Sequence, residues 1–103
     1  MKKNNKLIIK VFDHAGSFAE DKDEGAHMRE KLILPALKEG KQIIIDYASV
    51  TTTTQSFTHA LISEALRTYD IDKTLDLLIF KNCNESVKRI ISIVVEYMQR
   101  RLE

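Results

Sequence analysis

Three isoleucines in a row, Ile43, Ile44 and Ile45, constrain this chain more than any other stretch. Successive side chains of a strand point to opposite faces, so an unbroken β-branched run must be shielded on both sides. That pattern belongs to the centre of a parallel sheet. Parallel neighbours need long crossover connections, usually helices. Lys41-Gln42-Ile43-Ile44-Ile45-Asp46-Tyr47 is therefore predicted to be a buried strand closed by Asp46.

The rest of the chain supplies the partners this strand requires. Lys6-Leu7-Ile8-Ile9-Lys10-Val11-Phe12 reads as a first strand and Leu75-Asp76-Leu77-Leu78-Ile79-Phe80 as a third. Between them lie helical spacings. Met28, Leu32, Ile33, Ala36 and Leu37 mark one face of a helix over residues 26–38, in which Pro35 predicts a kink or a loosened last turn. Phe57, Ala60, Leu61, Ala65 and Leu66 mark a second helix over about residues 55–69, with Thr54 as its N-cap. Asn84 caps a third, whose stripe runs through Val87, Ile90, Ile91, Val94, Met98 and Leu102. Residues 13–25 are polar and charged and are expected to form a mobile loop, with a short extended piece at 17–19. Alternating strands and helices predict an α/β fold: a three- to four-stranded, mostly parallel sheet with about three helices.

With 103 residues the chain has room for one domain, spanning 1–103. Sixteen Lys and Arg against fifteen Asp and Glu give a net charge of +1, without the basic excess that phosphate backbones demand, so nucleic acid is not an expected partner. The basic start, Met1 to Lys6, is read as a frayed terminus over residues 1–5. No stretch approaches the roughly 20 apolar residues of a membrane span, and no signal-type segment follows Lys2 and Lys3. A cytoplasmic, membrane-independent protein is expected, and its single cysteine, Cys83, excludes a disulfide within the chain. No cofactor is expected: Gly16, Gly25 and Gly40 are too dispersed to cradle a phosphate, and His14, His27, Asp21, Asp23 and Glu24 lack metal-ligand spacing.

The segment Ile43-Ile44-Ile45-Asp46-Tyr47-Ala48-Ser49-Val50-Thr51-Thr52-Thr53-Thr54-Gln55-Ser56-Phe57 resembles the core of the STAS superfamily, named for sulfate transporters and anti-sigma factor antagonists. The shared parts are a buried strand ending in Asp, a short turn reaching a Val, and a hydroxyl-rich loop that opens a helix. The Ser-Phe at the start of that helix, with Arg29 early and Pro35 late in the preceding one, looks like the bacterial STAS-like branch of uncharacterised function. The resemblance covers about residues 25–100. It implies a regulatory module whose partner is an ATPase-type kinase. In the antagonists, phosphorylation of a serine at the first turn of this helix breaks the complex. Here the aligned acceptor position is Gln55, which takes no phosphate, with Thr54 and Ser56 on either side as the candidate acceptors.

Two readings stand for Asp46: a catalytic carboxylate, or an anchor whose oxygens accept backbone donors of the following loop. Two stand for Cys83, which follows a strand and precedes a helix: a thiol of lowered pKa, or a packing residue. The rim beyond the strands is rich in hydroxyls and amides and poor in charge, which suits hydrogen bonding to a protein. The leading expectation is a non-catalytic, partner-binding regulatory domain. Its docking face comprises Thr51, Thr52, Thr53, Thr54, Gln55 and Ser56 with Thr58, His59, Ile62 and Ser63 on the outer side of the helix. Ile62 is expected to be exposed because it falls away from the Phe57–Leu61 stripe. The alternatives are a small-molecule or nucleotide-binding protein or minor enzyme using the same rim, and a homodimer through the last helix, where Ile93 and Val95 lie off the stripe's centre.

Overall fold

A computed structural model describes residues 5–101. Four of the five residues expected to fray, and Leu102, lie outside that range. The α/β expectation holds. Strands β1 (Lys6–Lys10), β3 (Gln42–Asp46) and β5 (Leu78–Lys81) form an all-parallel sheet in the order β1-β3-β5. The isoleucine strand is central, with Ile43 opposite Leu7 and Leu78, Ile44 opposite Ile8 and Ile79, and Ile45 opposite Ile9 and Phe80.

The first strand stops earlier than predicted. After Lys10 pairs with Asp46 the chain turns into a short helix, α1 (Val11–Ala15), which buries Val11 completely. Gly16, at φ 76°, ends it in a conformation that costs glycine little. Residues 13–25, expected as a loop, carry further structure. β2 (Phe18–Ala19) pairs in parallel with β4 (Thr52–Thr53) as a separate two-stranded sheet. Helix α2 (Lys22–Met28) starts at Lys22, because the Asp21 carboxylate accepts from the Asp23 amide at 2.9 Å. Gly25 lies inside α2 where it crosses the next long helix: a Cβ there would stand 2.9 Å from the Phe57 carbonyl oxygen.

Pro35 is accommodated by a change of helix type. A π-helical turn, Arg29–Ile33, joins α2 to α3 (Leu34–Lys38), and the Leu34 amide donates to the Arg29 carbonyl. In a regular helix the proline ring would strike the carbonyl four residues back; the wider turn directly before it relieves that crowding.

Helix α4 (Gln55–Thr68) has the predicted cap, with Thr54 Oγ1 accepting from the Phe57 amide at 3.1 Å. Helix α5 (Ile71–Leu77) takes residues predicted to start the third strand. Asp70 caps it by accepting from the Asp72 amide at 3.0 Å, and Ile71, Leu75 and Leu77 turn toward the core. Helix α6 (Glu85–Arg101) starts where Asn84 Oδ1 accepts from the Val87 amide, and buries Val87, Ile91, Val94 and Met98.

The helices gather on one side of the main sheet. Ile43 and Ile45 join Tyr47, Phe57, Leu61, Met28 and Val87 in a continuous core, and Ile44 is not part of it.

Candidate functional site

The rim beyond the strand ends is built around Asp46. Its Oδ1 accepts from the Asn82 side-chain amide and from the Ala48 backbone amide, both at 2.9 Å. Those bonds, Asn82 first, hold the carboxyl below its usual range against a small opposing effect of burial, and Lys10 and Lys81 assist. The geometry is that of the loop anchor. Asn84 adds a second stitch, its side-chain amide donating to the Thr51 carbonyl at 2.9 Å. The turn at 82–84 and the loop after β3 therefore hold one another. Ser49 and Asn82 sit at φ 71° and 57°, left-handed positions that Asn tolerates better than most residues.

Most of the threonine hydroxyls serve the fold. Thr51 Oγ1 donates to the Ser17 carbonyl at 3.0 Å and Thr53 Oγ1 to the Ala19 carbonyl at 2.8 Å. Thr54 caps α4, and Thr58 Oγ1 donates back to the Thr54 carbonyl at 3.0 Å. Thr52 is half-buried in β4. Of the residues proposed for docking, Gln55, Ser56 and His59 point outward from α4, with Thr51 exposed beside them.

The others are corrected by burial. Thr53, Thr58, Ile62 and Ser63 are all buried, Ile62 at 0 % exposure. Ile62 was expected outside because a surface helix buries one stripe. Helix α4 is instead packed by α2 on one side and α6 on another, so its buried arc is wider than a stripe. Ile62 belongs to the core.

Sequence reasoning missed the other wall of the site. Helices α4 and α6 leave a cleft of about 520 Å³ lined by Gln55, Ser56, His59 and Ala60 on one side, Ile93, Val94 and Tyr97 on the other, and Lys22 at the margin. Ile93 and Tyr97 are large and apolar yet 40 % and 49 % exposed. The His59 and Tyr97 rings lie 6.3 Å apart across the cleft, and the Arg101 guanidinium stands 5.9 Å over the Tyr97 ring. Among the described residues no carboxylate lines this cleft. The available signal was the i, i+4 spacing of Ile93 and Tyr97, one strip away from the core stripe. Val95, flagged with Ile93, is half-buried against the core.

Cys83 donates weakly to the Lys81 carbonyl, Sγ to O 3.7 Å. Burial pushes its thiol pKa up; Lys88 pulls the other way and Asp46 adds to the rise. A thiol kept protonated is a poor nucleophile. Among the described residues no three His, Cys, Asp or Glu side chains converge as a metal site, and no helix is long and apolar enough to cross a membrane.

No curated protein and no solved structure matches the chain. A family model does match, over residues 24–88, and it is described as a STAS-like domain of unknown function (DUF4325). That stretch takes in α2, the central strand, the stitched rim, α4, β5 and the first turn of α6. The chain belongs to this STAS-like family.

Proposed function

We propose that this protein is a non-catalytic regulatory domain that docks a protein partner through the first turn of α4 and the cleft that α4 shares with α6. One observation carries this: Ile93 and Tyr97 stand exposed directly across from Gln55, Ser56 and His59, so apolar anchors and hydrogen-bonding groups face the same space. Exposed aromatic and aliphatic anchors beside polar groups are what protein interfaces are built from. The rim supports the reading in a second way. The hydroxyls of Thr51, Thr53 and Thr54 and the Asp46 carboxylate are engaged in bonds that shape the loop, and burial raises the Cys83 thiol pKa, which supports a docking role over a chemical one.

The superfamily resemblance supplies the class of partner, an ATPase-type kinase. The phosphorylation reading narrows to Ser56. Thr54 is occupied in capping, whereas Ser56 is exposed one position past Gln55, its Oγ 3.4 Å from Thr54 Oγ1. A phosphate there adds nearly two negative charges at the mouth of the docking cleft, which is sufficient to change a partner's affinity.

Affinity co-purification of the whole chain from the cells that make it tests the proposal. The wild type is expected to retain an ATPase-fold protein that a Tyr97→Asp, Ser56→Asp variant of unchanged melting temperature loses. Undiminished retention by that variant removes the cleft as the docking site. A rise of several degrees in melting temperature with any nucleotide favours a small-molecule function instead.

A further inference from the structure

The docking cleft uses the helical side of the molecule and leaves the opposite side of the main sheet unexplained. Ile8, Ile44 and Ile79 lie in register across β1, β3 and β5, so their side chains form one apolar row on one face. Ile8 is 58 % exposed and Ile79 half-buried, while Ile44 between them is 8 % exposed yet stands outside the continuous core cluster. Parallel sheets are normally covered on both faces. Among the described residues the core cluster covers one face, and on the other the edge residue Ile8 stays open.

The size and charge of this second face say what fits it. Three strands of about five residues present an area on the order of 10 by 17 Å. A stable dimer needs roughly 800 Å² per partner, so this face is too small to hold a second copy by itself. It matches one helix, about 10 Å across, over some 11 residues. The row is framed by Lys10 and Lys81 at the strand ends, with Lys6 on the same face at the start of β1. Two carboxylates lie at that end, Asp46, whose Oδ1 accepts two hydrogen bonds, and Asp13 beside Lys10, so the three lysines still outnumber them. A predominantly cationic frame also disfavours self-association.

We propose that this face receives an amphipathic helix of a partner protein, its apolar stripe on the isoleucine row and its flanks acidic. This surface is separate from the α4–α6 cleft, so either can fail without the other.

The test uses two synthetic peptides of about 15 residues with the same Leu stripe at i, i+3, i+4 and i+7, one flanked by Glu and the other by Lys. Binding to the whole chain is read by fluorescence anisotropy. The Glu peptide is expected to bind at least about tenfold more tightly than its twin and to weaken as salt is raised. Ile8→Ser is expected to weaken it about tenfold, and a Lys10→Glu, Lys81→Glu variant to reverse the preference. Tyr97→Asp should leave binding unchanged. The proposal is overturned if neither peptide binds, if both bind equally, or if only Tyr97→Asp abolishes binding. It is equally overturned if sedimentation shows a dimer that Ile8→Asp dissociates, since the occupant is then a second copy.

Discussion

Ile44 and Ile45 are the same residue type, adjacent in the same strand and both buried, and they face opposite sides of the sheet. Ile45 points into a core closed by helices, with Tyr47 and Phe57 in the same cluster. Ile44 points to the other face, in register with Ile8 and Ile79, outside that cluster and beside an edge residue, Ile8, that is 58 % exposed. The run of isoleucines demanded cover on both sides; the fold buries all three, but only Ile43 and Ile45 join the core cluster, and the neighbouring Ile8 is left open. Hydrophobic patterning thus reports what a strand requires, and an unmet requirement marks a surface where something else belongs.

Mutations separate the two faces, and the largest effect belongs to the closed one. Ile45→Ala is expected to cost about 3–4 kcal/mol in urea unfolding, because the closed core cannot collapse into the space left behind. Ile44→Ala should cost less, about 2 kcal/mol, since its neighbours Ile8 and Ile79 are partly open and can relax into the gap. Equal losses would break the comparison. Gly25→Ala probes how tightly the closed side is built, where α2 meets the Phe57 carbonyl; it should cost about 2 kcal/mol, read as a lower urea midpoint. Tyr47→Phe runs the other way. The Tyr47 hydroxyl is fully buried and finds no partner among the described residues, and its burial raises its pKa. Removing it should leave stability unchanged or raise it by up to about 1 kcal/mol in the same assay.

The smallest effect is read by pH. Asp46 shares a face with Ile44, and its folded pKa is depressed, with the Asn82 bond the first cause. Its contribution is therefore fully present above the unfolded value near pH 4 and is lost as pH falls through the lower folded value. A melting curve of Asp46→Asn should lose part of the wild type's acid sensitivity below about pH 4, while Ile45→Ala keeps it.

The central strand was legible from its unbroken apolar run, and the Thr54 and Asn84 caps and the Asp46 bond to Ala48 because each lies within three residues; the Asp46 bond to Asn82, 36 positions on, was not. What escaped depends on more distant neighbours. Ile62 follows a helix face that is exposed in a two-layer packing and buried when a third element, α2, closes over it. Leu75-Asp76-Leu77 alternates like a strand, but the Asp70 cap starts a helix that consumes it. The Asp21 cap with Glu24 three residues later was a readable start for α2, obscured by the charge around it. The π-turn before Pro35 was legible only as trouble in that helix. Of the α4–α6 cleft, sequence showed the α4 wall; Tyr97 emerged only when α6 was laid beside it.

The pairing of β2 with β4 has a practical corollary. Thr51 and Thr53 take their places from carbonyls 34 positions earlier in the chain, at Ser17 and Ala19. A short synthetic fragment copied from the threonine-rich stretch would lack the template that shapes it, and should compete poorly with the intact protein. Inhibitors or antibodies aimed at this rim are better raised against the whole folded chain than against its linear epitope.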